Sequence, residues 1–411
     1  MRRAREGGGC LPEGAVRFMR QRWPTWMLFE WVVFGGAAPL GAEQVVTRPY
    51  CGVTLIARAE TTPRQLSMHL AIIDLRTPGV RFKLTSHSGS LDTVRQSTLD
   101  YLRQEHAQVA VNTHFYLPFG TPETNANLVG LAVSEGIVYS PFEGQPIGPD
   151  YQDQSHAILP YAPAINIDRS NHAAVVHRDA GYADNLHVQE STTLWTAFSG
   201  SAQVVRGGQK TVPAYTGPPD GLTATNGYSD SFSWYEVLRA RTVAGLTQDQ
   251  QTLVLFVVDE AGGSLGMSVA EVADLLIQDY QVYDALNLDG DGSTAMAIED
   301  PTTHDGRLFN TSNDGIEGRV VGSSLAVFAP PAQGSDEMRL AISGSLSNHV
   351  LLSWPATPAR WELEQAQSFP LPDWRPLEVE PHLAGGCLHV VLPARDDAWL
   401  FRLVQKPGIQ P

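Results

Sequence analysis

The chain is poor in the residues that would staple a fold or charge it positively. Its 411 residues include three cysteines, Cys10, Cys51 and Cys387, which are too widely spaced for a Cys-x-x-Cys zinc site and too few for a disulfide framework. Free thiols are expected, since Cys51 and Cys387 could pair only if their Cα atoms came within about 7 Å. Only 28 Lys and Arg stand against 44 Asp and Glu, a formal charge of −16, and no basic run exists. That excludes a nucleic-acid partner held by its phosphates. No uncharged apolar run reaches the roughly 20 residues of a membrane-spanning helix, and no solenoid-like repeat is visible. What is left, 43% apolar and 18% charged, is a globular composition with room for two or three domains.

The first 42 residues read as an export signal: Met19, Arg20 and Arg22 precede an apolar stretch from Trp26 to Leu40, interrupted by Glu30, and Leu40 to Ala42 offers small residues for cleavage. A secreted or periplasmic protein is expected; the alternative is a cytosolic protein with a buried apolar N-terminal helix.

Beyond this segment the chain alternates strand and turn signals. Short apolar clusters such as "LSMHLAIIDL" (Leu66 to Leu75) predict two or three strands before Phe82, and "STLDYLRQEH" (Ser97 to His106) predicts a capped helix with Leu99, Leu102 and His106 on one face. Short strands with long loops follow up to Trp234, and "TGPPDGLTATNGYSDS" (Thr216 to Ser231) reads as a loop able to cover a cleft. "TLVLFVVD" (Thr252 to Asp259) is the continuous apolar run of a strand buried on both faces. Ser268 and Glu271 form a capping-box signature for a helix over 269–280, and "DALNLD" (Asp284 to Asp289) is a further strand. The expected fold class is therefore α+β or mixed α/β: a mixed β-sheet catalytic domain over 43–330 with a right-handed strand–helix–strand crossover, then a linker and a small all-β sandwich over 338–411. The strand rhythm of that last part is similar to fibronectin-type or carbohydrate-binding sandwiches.

The crossover places Asp259 and Asp289 at the carboxyl edge of one sheet, where ligands of open α/β sheets bind. Paired acids there suit glycosidic chemistry, although a strand-end Asp also serves turns. In "DGDGSTAM" from Asp289, the glycines Gly290 and Gly292 let backbone amides approach a ligand, and the Ser293 and Thr294 hydroxyls complete an anion-holding concavity. Asn287, Asp289, Asp291 and Gly292 match the first EF-hand positions, but Ile298 stands where the bidentate Glu belongs. The sequence identifies no definite cofactor; a divalent cation such as calcium held by Asp289 and Asp291 is left open.

Four segments in order resemble the phosphodiester glycosidase family over about residues 52–329. They are "QVAVNTHFY" (Gln108 to Tyr116), "RARTVAG" (Arg239 to Gly245), "ALNLDGDGSTAM" (Ala285 to Met296) and "EGRVVGSSLAVF" (Glu317 to Phe328). The resemblance implies Asn112, Arg241, Asp289 and Arg319 as site residues, and cleavage of the bond between a sugar's anomeric carbon and a phosphate oxygen, as in N-acetylglucosamine-1-phosphodiesters. It implies Arg241 on the phosphate, helped by Ser293 and the amides around Gly290 and Gly292. Asp289 would stabilise the oxocarbenium-like centre or activate water, and Asn112 would bond the sugar. This sequence departs from the family pattern at His114, Asp291 and Glu260, where glycines usually stand. His114 could be a general acid, or be packed against Phe115 and Tyr116; Asp291 could be a second carboxylate or a metal ligand. Arg319 could equally be an ion-pair residue, and Asn112 a turn cap. The departures keep two rivals in play: a non-catalytic cell-surface carbohydrate-binding protein, and a metal-dependent phosphodiesterase. The expected partner is a sugar-1-phosphodiester or another glycan.

Overall fold

Seven residues at the centre show why the chain folds in layers. In the Thr252–Val258 strand, Leu253, Leu255 and Val257 point to one side and Val254, Phe256 and Val258 to the other, all buried. The two-residue period of a strand makes each set a face, so an apolar run needs a layer on both sides. One face packs with Val109, Val111, Leu325 and Val327; the other packs with Val269, Val272 and Leu276 of a helix.

The structure is a computed structural model and describes residues 42–118, 122–144, 158–219, 232–332, 340–345, 349–356, 361–367, 373–393 and 399–405. The expected export signal lies outside them except for Ala42, as do residues 220–231 of the expected loop.

Four layers result. The Val269–Tyr280 helix covers an eight-stranded sheet whose strands run in the order 42–50, 53–60, 66–74, 252–258, 241–247, 282–287, 202–206 and 209–210. Across the core lies a five-stranded sheet in the order 306–308, 296–299, 109–112, 324–328 and 81–84, and its outer face takes Leu99 and Leu102 of the Thr98–Glu105 helix. A further sheet of strands 137–140, 132–134, 196–199, 164–167 and 173–176 adds Ile165, Ile167 and Phe198 to the central core.

The fold is mostly β with few helices, and every strand pairing among the described residues is antiparallel. Strands 252–258 and 282–287 point the same way because the Arg241–Thr247 strand lies between them, antiparallel to each. The helix linking them begins with a closed capping box, Ser268 and Glu271 exchanging side-chain to backbone hydrogen bonds of 2.9 and 3.2 Å. Arg64 then grips Glu271 with two nitrogens at 2.9 and 2.6 Å. His106 departs from the expectation: the helix ends at Glu105 and His106 is its left-handed cap, with φ 54°, off the buried face.

The C-terminal strands form a four-stranded and a three-stranded sheet around Leu352, Trp354, Leu363 and Val390. The expectation of free thiols is overturned here. Cys51 and Cys387 form a disulfide, their Cα atoms 5.8 Å apart, because a backbone bond brings their neighbours together: Gly52 N–H donates to Gly385 O at 3.1 Å. Sequence separation concealed this, since the two cysteines lie 336 positions apart. Thiol titration of the denatured, unreduced chain should detect nothing at positions 51 and 387, and Cys387→Ser should destabilise by about 3 kcal/mol, read as a lower melting temperature.

Candidate active site

Residues 288–295 cross from one sheet of the core to the other, since strand 282–287 belongs to the eight-stranded sheet and strand 296–299 to the five-stranded one. A crossing this short must carry its own backbone polar groups through a buried region, so each needs a partner. The Asn112 side chain supplies two of them, one at each end. Its Nδ2 donates to Asp289 O at 2.6 Å, while its Oδ1 accepts from Ala295 N at 3.0 Å and Thr242 Oγ1 at 2.8 Å. One buried amide thereby ties both ends of the turn to strands of both sheets. Asp289 N–H donates to Thr113 O at 2.9 Å and Asp291 N–H to Ala240 O at 2.8 Å.

Within the turn, Asp291 sits at φ 55°, in the left-handed region that favours glycine and that Asp tolerates better than most residues. That accounts for a side chain where the resembling family has Gly. Gly292 leaves room for a neighbour: a Cβ there would lie 2.0 Å from Arg319 Nη2, so the guanidinium rests on the bare backbone and would have to move for any side chain.

The Asp289 carboxyl faces this surface with 6% exposure, and burial pushes its pKa up from 3.8 to about 7, against the pull of the Ser293 hydroxyl, the Arg319 guanidinium and the Gly290 amide. The amide donates to Oδ1 at 2.9 Å. The Ser293 hydroxyl lies beside the carboxyl without hydrogen-bond geometry, and the Thr294 hydroxyl is buried with no protein partner among the described residues. Arg319 is ion-paired through Nε with Asp314. Tyr116, the last residue of the Gln108–Tyr116 segment and given no role from sequence beyond an aromatic neighbour of His114, closes the group. Its hydroxyl donates to Val320 O at 3.1 Å, and its pKa is pushed up to about 12 by burial and then by the charge of Asp289.

The structure thus gathers Asp289, Gly290, Asp291, Gly292, Ser293, Thr294 and Arg319 on one turn and its flank. The other expected residues lie behind it, their polar atoms engaged elsewhere. Arg241 is fully buried, donating from Nε to Met267 O at 3.1 Å and from Nη2 to Trp234 O at 2.7 Å and Val237 O at 2.5 Å, with its guanidinium 4.1 Å from the Trp234 ring centre. It builds the wall on which Gly290 rests, whose Cβ would lie 3.5 Å from Trp234. Asp259 is also fully buried: its oxygens take Asn310 Nδ2 at 3.1 Å, Thr311 N at 3.1 Å and His69 Nε2 at 3.2 Å. Asn310 in turn accepts from Met296 N at 2.8 Å, so Asp259 braces the turn from beneath.

The general-acid role expected of His114 does not fit its position. Nδ1 lies 2.8 Å from Ser323 Oγ, Nε2 lies 3.0 Å from both Leu131 O and Ser199 N, and burial pushes its pKa down to about 4. It is neutral at pH 7 and enclosed. Its partners are polar, not the aromatic neighbours. Glu260 pairs with Arg239 at 2.8 Å.

Among the described residues no group of three or more His, Cys, Asp and Glu could hold a metal. Asp289 and Asp291 offer two carboxylates beside the Arg319 guanidinium, which fits a calcium site poorly: calcium takes 6–8 oxygens, and a fixed cation repels it.

The fold and the turn define a β-rich domain with a single buried acid on a glycine-bearing crossing. Residues 127–328 match the model of the phosphodiester glycosidase family, so the chain carries a domain of that family. The match includes Arg241, Asp289 and Arg319 and begins after Asn112, His114 and Tyr116. Among solved structures, the chain is similar to the catalytic domain of zebrafish N-acetylglucosamine-1-phosphodiester alpha-N-acetylglucosaminidase auto-inhibited by its pro-peptide, at 16% identity over 70% of this chain and 88% of that one, TM-score 0.45. It is also similar to a hypothetical protein from Synechocystis, at 14% identity over 68% of this chain and 62% of that one, TM-score 0.44. No curated protein matches.

Asn112→Ala should leave Asp289 O and Ala295 N unsatisfied and cost about 2–4 kcal/mol in denaturant unfolding. Asn112→Asp should do no better, because it sets a carboxylate against the Asp289 carbonyl.

Proposed function

We propose that this chain is an exported hydrolase of sugar-1-phosphodiesters that releases a free sugar and a phosphomonoester. The observation that carries the reading is the Asp289 carboxyl, raised to about 7 and set on an amide-rich turn against Arg319. The leaving phosphate is a weak base near neutral pH, so stabilising its charge matters more than protonating it. Arg319 takes that charge, with the buried Ser293 and Thr294 hydroxyls as further donors. Asp289 accepts a proton from the attacking water as oxygen bonds to the anomeric carbon and the bond to the phosphate oxygen breaks. Arg241, Asn112 and Asp259 hold the frame.

The disulfide supports export, since such bonds persist in oxidising compartments. No helix among the described residues is long and apolar enough to cross a membrane.

Phosphorus-31 NMR of a sugar-1-phosphodiester panel, in labelled water and with or without chelator, tests the reaction. Phosphomonoester release with the label in the sugar, unaffected by chelator, is expected. Label in the phosphate would mean a phosphodiesterase, and sugar binding without turnover a binding protein. Asp289→Asn should lower turnover by about 10²–10⁴-fold. Activity of the wild type should rise with pH through about 7, as Asp289 becomes the base.

Stability gives an independent check. Because the folded state holds the Asp289 proton above 3.8, where the unfolded chain releases it, the contribution of Asp289 to wild-type stability falls as pH rises from about 4 to about 7. Asp289→Asn lacks that loss, so its melting temperature should exceed the wild type's by a margin that widens across this window and then levels off.

A further inference from the structure

We propose that Arg95 is a specificity-determining residue that recognises the substrate's phosphate, an inference resting on the sugar-1-phosphodiester reading of the same site. Arg95 lies just before the Gln96–Ser97 strand, which pairs with Val320–Val321, the residues after Arg319. Its backbone N–H donates to Thr124 O at 2.8 Å, and its Nη2 donates to Pro118 O. The guanidinium carbon stands 4.9 Å from the centre of the Tyr116 ring. Tyr116, in the Tyr116–Leu117 strand that pairs with residues 127–128, packs beside the Val320–Val321 strand. Its hydroxyl reaches Val320 O, and a Cβ on Gly322 would fall 2.5 Å from its own Cβ. The phenol consequently feels Asp289, Arg319 and Arg95 together. One aromatic ring connects the turn to a second guanidinium.

Charge accounting makes that guanidinium significant. A phosphodiester is an anion, and it must approach an ionised Asp289. Arg319 is matched by Asp314, and Arg241 is enclosed by three carbonyls. Arg95 forms no ion pair among the described residues; the exposed Glu123 feels its charge only at longer range. Its Nε is buried with no hydrogen-bond partner among the described residues. Arg95 therefore supplies the positive charge that offsets an incoming anion, and it does so from beyond Tyr116, away from the anomeric carbon.

The test compares the wild type with Arg95→Gln, which keeps a donor for Pro118 O, and Arg95→Lys, which keeps the charge. Arg95→Gln should lower kcat/KM for a sugar-1-phosphodiester by roughly ten- to hundred-fold and leave hydrolysis of an uncharged aryl glycoside of the same sugar unchanged. Arg95→Lys should recover most of the loss. In calorimetric titration, the affinity for the corresponding sugar 1-phosphate should fall by a similar factor in Arg95→Gln. Equal losses on both substrates, no loss, or no sugar 1-phosphate binding by the wild type would overturn the assignment. Sugar 1-phosphate binding by a wild type that hydrolyses no diester would defeat the proposed reaction alone, and the titration would still decide on Arg95.

Discussion

The structure turns on the three-way hydrogen bond of Asn112. A chain that passes from one sheet of a packed core to the other exposes backbone amides and carbonyls to a medium that cannot solvate them. A single side-chain amide has both a donor end and an acceptor end, and here each is used across the gap between sheets. Without it, the carbonyl at the start of the turn and the amide at its end would both be buried without a partner. With it, a carboxyl can be held where water scarcely reaches.

Burial then does the electrochemical work. The Asp289 carboxyl is raised because desolvation outweighs the hydroxyl, guanidinium and amide that favour its charged form. His114, a few residues from the same site, is moved the opposite way by the same cause, since burial disfavours charge on acid and base alike. The buried residues behind the turn, Arg241 and Asp259, are held by hydrogen bonds to backbone and side-chain groups of the surrounding core. They give the turn its floor, and the groups at its surface are those not committed to it.

Much of the layer architecture was legible in the chain. The apolar run from Thr252 to Val258 required cover on two faces, and the Ser268 and Glu271 pair marked a helix start by local chemistry alone. The turn at Asp289 was visible as well, because glycines beside acids have few other uses. Less legible was the division of labour among the polar residues. Asn112, Arg241, Asp259 and His114 all looked like contacts for a ligand, and what decides between ligand and protein is which carbonyls and hydroxyls lie within 3 Å. Arg95 carried no motif signal, and Tyr116 stood only at the end of the Gln108–Tyr116 segment; they matter because the Arg95 guanidinium lies against the Tyr116 ring, whose hydroxyl reaches Val320 O next to Arg319.

The sequence by itself determined the strands, the helix caps and the glycine-bearing turn, because these follow from periodicity and backbone preference over a few residues. Tertiary structure alone decided three things: the pairing of Cys51 with Cys387 across 336 residues, the insertion of the 241–247 strand between its neighbours, and the shift of the Asp289 carboxyl. Each depends on distances between residues remote in the chain. Desolvation in particular is a property of everything packed around a group, and no local pattern encodes it.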